Sequence, residues 1–164
     1  MGHSGYHSYF SVHVESLGLG DQWTGVAIAL GVGVEIVLLR YADALLKRFG
    51  AQNLMLVGIA LAIPRWLITA LGGPMVVIGV QALHGATFAL FWIGSLSRIT
   101  RLAPERIRTS SVAVLGAAVG GIGSIVGNFG GGLLADGPGT TTLFLCGAGT
   151  ATLATMAALL GRKE

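Results

Sequence analysis

The sequence predicts an all-α membrane protein with five complete transmembrane helices and a partial one at the N-terminus. Five apolar stretches each approach the ~20 residues that a helix needs to cross the hydrocarbon core. The chain is 53% hydrophobic and 10% charged, with mean hydropathy +0.77. A soluble domain carries about 25% charged residues, so too few are present here to coat a water-facing surface. The third observation is the placement of the ten Lys and Arg residues. Nine fall at alternate ends of the apolar stretches, and the tenth, Arg65, lies inside one.

Taken in order, residues 1–16 carry aromatic and polar side chains and span about 24 Å as a helix. That is short for a crossing, so they are expected to be part of a helix. The polar turn around Gly18 and Gly20 follows. The complete helices are expected at about 22–42, 51–71, 73–97, 110–135 and 140–161. Asp21 suits a cap for the first of these, and Trp23 suits the membrane interface. Gly50 closes the first basic loop. Pro74 fits a first helical turn, and Gly137-Pro138-Gly139 reads as a tight turn. The whole chain reads as one transmembrane domain over residues 1–164. Five helices and a fraction make an odd inventory, so the sequence is expected to be a fragment or truncated reading frame lacking an N-terminal half.

Arg40, Lys47 and Arg48 follow the first complete helix, Arg98 to Arg108 the third, and Arg162 and Lys163 the last. The intervening links carry no basic residue. Because positive loops stay inside, this predicts cytoplasmic basic ends and a cytoplasmic C-terminus. The same placement accounts for the net charge of +3 without invoking nucleic acid. The single cysteine, Cys146, excludes a disulfide framework and reads as a packing residue.

Charged groups within a bilayer are costly and usually face a bundle interior. Glu35, Arg65 and His84 lie on three consecutive helices. From the end opposite the basic loops, Arg65 is about 10 Å deep, His84 about 15 Å and Glu35 about 20 Å. Gln81, His84, Phe88, Phe91 and Ser95 recur at helical spacing and form a polar and aromatic stripe suited to lining a cavity. Two readings stay open for each ionisable group. Glu35 carries a proton or pairs structurally with Arg65, and His84 couples protons or is a hydrogen-bonded packing residue. His3, His7 and Ser11 are a weak match to metal ligands, and no metal or cofactor is expected.

Gly116, Gly120, Gly123, Gly127 and Gly131 recur every three or four residues, along one helical face. Small residues let helices approach closely in lipid. The stripe reads as tight packing or as a sliding face.

These residues resemble the C-terminal half of a major facilitator superfamily transporter, in the branch that includes lactose permease, nucleoside–proton symporters and phenylpropionate permeases. The matching pieces are residues 6–20, Ala29-Leu30-Gly31-Val32-Gly33-Val34-Glu35-Ile36, Lys47-Arg48-Phe49-Gly50, Arg65-Trp66, Leu83-His84-Gly85-Ala86-Thr87-Phe88 and Ala103-Pro104-Glu105-Arg106. The resemblance implies the end of the seventh helix and all of the eighth to twelfth, in a multi-pass protein of the bacterial inner membrane. It implies proton-coupled symport of a small organic solute by alternating access, together with a missing N-terminal transporter half. Glu35 and His84 would couple protons, while Arg65, Gln81, His84, Phe88 and Phe91 would bind substrate. Lactose permease carries a carboxylate one turn after its histidine; here that position is Thr87, so either Glu35 is the proton-carrying acid or coupling is absent. Asp43 and Arg48 lie in a degenerate copy of the superfamily's loop motif and are candidates for an inner gate.

Three rival readings remain. One is a proton-independent uniporter or antiporter that holds an organic anion on Arg65. Another is a membrane interaction protein that associates through the glycine stripe. An intramembrane serine protease built from Ser95 or Ser124 with His84 is not supported, because neither of these serines sits in a Gly-x-Ser-Gly sequence, so no enzyme is expected.

Overall fold

A computed structural model describes residues 2–161, with the side chains of 2–5 and 7 outside that description. The proposed ligands His3 and His7, and the terminal Arg162 and Lys163, therefore lie outside the described residues. Among the described residues the chain is helical throughout. Its elements are α1 (Gly2–Ser16), α2 (Asp21–Arg40), α3 (Ala42–Phe49), α4 (Ala51–Leu71), α5 (Pro74–Gly79), α6 (Gln81–Leu102), α7 (Arg108–Gly116), α8 (Gly123–Asp136) and α9 (Thr140–Leu160). A 3-10 turn at Glu105–Ile107 precedes α7, and a π-helical segment at Ala117–Ile122 joins α7 to α8.

Five continuous spans are long and apolar enough to cross a membrane: Asp21–Arg40, Ala51–Leu71, Pro74–Leu102, Glu105–Asp136 and Thr140–Leu160. They follow the five predicted stretches, with two differences. The span expected at 73–97 breaks after Gly79 and runs on to Leu102. At the break, the Gln81 side-chain amide donates to the Val77 carbonyl at 2.9 Å, and Leu83 N–H reaches only three residues back, to Val80. The span expected at 110–135 begins at Glu105 and contains the π-helical turn. Asp21 is the first helical residue and Gly20 the cap, without a side-chain cap bond. Asp21 thus acts through the positive helix end rather than as a capping acceptor.

The glycine stripe does not act as one face. Gly123, Gly127 and Gly131 are buried. Gly116 and Gly120 have open space where a side chain would stand. The wider π-helical segment, which begins after Gly116 and contains Gly120, rotates the helix and breaks the three-and-four spacing. The buried end accommodates α1: a Cβ on Gly131 would stand 2.8 Å from the Tyr9 ring, and the Tyr9 hydroxyl donates to the Asn128 carbonyl at 3.0 Å.

The closest helix approaches use other glycines. On α4, a Cβ at Gly58 would meet the Phe91 backbone nitrogen at 2.5 Å. On α6, a Cβ at Gly94 would meet the Ala51 carbonyl and the Met55 nitrogen at 2.5 Å. Gly85 of α6 abuts the Gly31 carbonyl and the Glu35 nitrogen of α2. These contacts wedge α6 between α2 and α4, while α4 also packs on α9. Ala89, Leu90 and Ile93 are buried, so α6 is covered on several sides.

The first helix is built into the bundle. Tyr6, Phe10, His13 and Val14 are each at most 2% exposed, and α1 rests on α8, α9 and α2. His13 had no role legible in the sequence. Its Nε2 lies 2.8 Å from the Thr69 carbonyl and its Nδ1 2.8 Å from the Thr140 hydroxyl. A carbonyl only accepts, so Nε2 carries the proton and Nδ1 accepts from Thr140. The ring also stands edge-on to Phe144, with centroids 5.0 Å apart. One neutral imidazole thereby ties α1 to both α4 and α9. His13→Ala is expected to cost about 2–3 kcal/mol, from two interhelical hydrogen bonds plus a cavity. An unfolding midpoint in detergent equal to that of the parent would show that the clamp does not hold these helices.

Candidate functional site

The site begins with Pro64, which has no N–H and leaves the Ala60 carbonyl without its usual helical donor. The next residue, Arg65, is 2% exposed. Its guanidinium lies over the Trp66 ring, 3.7 Å from the centroid, and 5.5 Å from the centroid of Tyr6. Such placement on aromatic faces stabilises a cation out of water. One terminal nitrogen of Arg65 meets Nδ1 of His84, while the buried Nε has no hydrogen-bond partner. A guanidinium only donates, so Nδ1 of His84 is an acceptor and the neutral ring carries its proton on Nε2. Tyr6 lies against the same imidazole, with centroids 4.3 Å apart. Behind this group, Trp66 stacks on Phe144 at 5.5 Å and 14°.

Arg65 also opens onto a cavity of about 350 Å³ between α4, α6, α9 and the π-helical segment. Phe88, Phe91, Trp66 and Thr87 line it, with Gly147, Ala151 and Ala154 forming the α9 wall. Small residues on α9 thus let it pack against α4 and Trp66 while leaving room for the cavity. The Thr87 and Thr150 hydroxyls donate to carbonyls of their own helices. Among the described residues, Arg65 is the charged group in a lining that, apart from these threonines, is apolar and aromatic. The size falls within the range of small-molecule sites, which pair an apolar wall with a few polar anchors.

The predicted residues are partly brought together. Arg65, Phe88 and Phe91 line the cavity, and His84 stands behind Arg65. Phe88 is also stacked on Trp92, with centroids 5.9 Å apart. Gln81 is 1% exposed, lies outside the cavity, and serves the break between α5 and α6. Glu35 does not form the structural ion pair with Arg65. It is half-buried on α2, with its backbone against Gly85, one turn from the place where Gly31 faces His84. Asp43 and Arg48 are both exposed on α3 and do not pair. Five residues apart on one helix, they point about 140° apart. Arg48 instead lies 5.2 Å from the Phe49 ring. Tyr6 and Trp66 are the members of the site that sequence reasoning missed as partners of Arg65. For Trp66 the signal available was an aromatic residue next in sequence to an intramembrane cation; Tyr6, on α1 and far away in the chain, carried no such signal.

The model of the MFS_1 like family matches residues 1–146. The chain belongs to the major facilitator superfamily. This major facilitator chain is 31% identical over 118 residues to the maltose permease of Geobacillus stearothermophilus, covering 71% of the chain and 30% of the permease. It is 28% identical over 115 residues to a probable 3-phenylpropionic acid transporter of Escherichia coli, covering 67% and 30% respectively. An uncharacterised transporter of Bacillus subtilis, YwbF, is 22% identical over 130 residues, covering 79% and 33%. The chain thus spans about a third of the length of these curated relatives. No solved structure matches. Membership places this major facilitator chain among multi-pass membrane proteins of a transporter family rather than among enzymes.

Proposed function

We propose that the chain forms the six-helix C-terminal half of a proton-coupled symporter for a small organic solute in the bacterial inner membrane, with its basic loops and C-terminus cytoplasmic. It works by alternating access with an N-terminal half, since transporters of this kind bind substrate between two such halves. The chain spans about a third of each relative's length. The observation that carries the reading is Arg65, a buried cation that meets neutral His84 and opens onto an aromatic cavity. A substrate with an anionic or strongly polar end and an apolar body fits that lining. Phe88 and Phe91 would contact the body, and Arg65 the polar end.

Coupling follows from the same contact. A proton added to His84 would place two cations side by side, and Nδ1 could no longer accept from Arg65. The released guanidinium is then free for a substrate anion. Glu35, one turn from the His84 contact, is the acid placed to exchange that proton. In the full transporter, Glu35→Gln should abolish uphill accumulation while sparing exchange of labelled substrate. Uphill uptake at the parent level would remove Glu35 from coupling.

A second reading, proton-independent exchange of an organic anion, is favoured by one observation. Arg65 does not pair with Glu35 among the described residues. Uptake insensitive to an imposed pH gradient would select it.

A further inference from the structure

Two cavities at the basic end of the bundle share a wall. One, about 490 Å³, lies between α4, α6 and α7 and is lined by Met55, Phe91, Ile99 and Leu115, with Ser95, Arg98 and Ser111 as polar members, Ser111 already donating to the Ile107 carbonyl. The other, about 550 Å³, is lined by Phe49, Gln52, Asn53, Arg98 and Arg101 and reaches the end of α9 at Gly161. Arg98 and Leu102 border both. An apolar crevice therefore continues into a polar pocket with a guanidinium at the junction. Arg98 is half-buried, Arg101 is exposed, and neither pairs with a carboxylate among the described residues. Ser95 is 5% exposed, and its hydroxyl has no hydrogen-bond partner. It stands one turn deeper than Arg98, about 4.5 Å along the axis.

The geometry points to a binding site for an anionic phospholipid. The phosphate sits between Arg98 and Arg101, where bidentate donors match its oxygens. The Ser95 hydroxyl donates to the ester carbonyl one step below, and an acyl chain fills the crevice along Met55, Phe91 and Leu115. Charge and depth change together, as they do along a lipid, so headgroup and chain are both matched. A basic pocket between helices at one membrane face is a recognised setting for acidic headgroups. Phe91 borders both this crevice and the Arg65 cavity, so a seated acyl chain touches a wall of that cavity.

The test uses the full chain, solubilised in neutral detergent, with dioleoyl phosphatidylglycerol and dioleoyl phosphatidylcholine as probes. Native mass spectrometry counts retained lipid, and thermal unfolding reports the shift. Phosphatidylglycerol should be retained at least tenfold better and raise the midpoint, while inorganic phosphate leaves it unmoved. Arg98→Gln with Arg101→Gln should erase the preference. Ser95→Leu, which keeps both arginines and fills the crevice, should lower retention if the double variant does not fold. Equal retention of the two lipids, or a preference surviving both variants, overturns the site. A shift produced equally by phosphate alone overturns the lipid assignment. None of these readouts depends on transport, so they stand apart from the proposed symport.

Discussion

Replacing Arg65 with methionine is expected to abolish binding of an acidic aromatic solute while leaving the unfolding midpoint unchanged or higher. The two effects separate because burial and recognition make opposite demands on this side chain. In the folded chain the guanidinium is 2% exposed and meets a neutral imidazole and two rings, without a paired carboxylate among the described residues. Removing a cation from water costs several kcal/mol, and methionine of similar length carries no such cost. The lost stacking on Trp66 offsets part of that gain, at about 1–2 kcal/mol. A bound carboxylate behaves differently, because truncating one partner of a buried charge pair costs about 2–5 kcal/mol, or roughly 30-fold to several thousand-fold in affinity. Arg65→Lys should also bind poorly, since an ammonium cannot stack on Trp66 and reach His84 as a planar fork does. The Trp66 ring is itself the reporter: fluorescence titration with a phenylpropionate-like acid should show quenching in the parent and none in the methionine variant. Retained binding together with a collapsed midpoint would invert the assignment and make Arg65 a structural cation.

Gly94→Val is expected to be among the most damaging substitutions in the chain. A Cβ there would stand 2.5 Å from the backbone of both Ala51 and Met55. Backbone atoms in a packed helix cannot rotate away as a side chain can. The α4 and α6 helices must separate, which opens the wedge that sets Arg65 against His84. Overpacking costs about 1–3 kcal/mol in general, and this contact should lie at or above the top of that range. Gly58→Val meets the same interface from the other side and should behave alike. Gly116→Ala is the contrast: its backbone is helical and the space beside it is open. There, alanine should be neutral or stabilise by about 0.5–1 kcal/mol. Thermal unfolding in one detergent would compare the three variants. Equal losses would mean that glycine content, not helix contact, governs stability.

That contrast marks the limit of a one-dimensional reading. Repetition at three and four residues drew attention to the glycines of residues 111–135, yet only the buried half of that stripe meets a neighbour. Gly58, Gly85 and Gly94 form no such run, because a close crossing needs a small residue at one point and not along a face. Arg65 and His84 were legible as intramembrane ionisable groups, but their direct contact was decided by the packing of α6 on α4. The exclusion of Gln81 from the cavity was not legible. Its period matched the stripe, but its amide is drawn to the Val77 carbonyl at a helix break. His13 was invisible for a similar reason: its partners Thr69 and Thr140 are 56 and 127 residues away in the chain.

Local chemistry settled the class of molecule and its spans. Length and apolarity of each stretch are properties of consecutive residues, and they suffice because every backbone group in hydrocarbon must be satisfied within its own helix. The pairing of side chains was decided only when the helices met. Which face α6 turns to α4, how α1 inserts beside α9, and where the π-helical turn rotates the glycines all depend on contacts between distant segments. Helix packing in lipid rests on close fit and scattered polar contacts rather than on a hydrophobic stripe, and close fit leaves little periodic trace in a sequence.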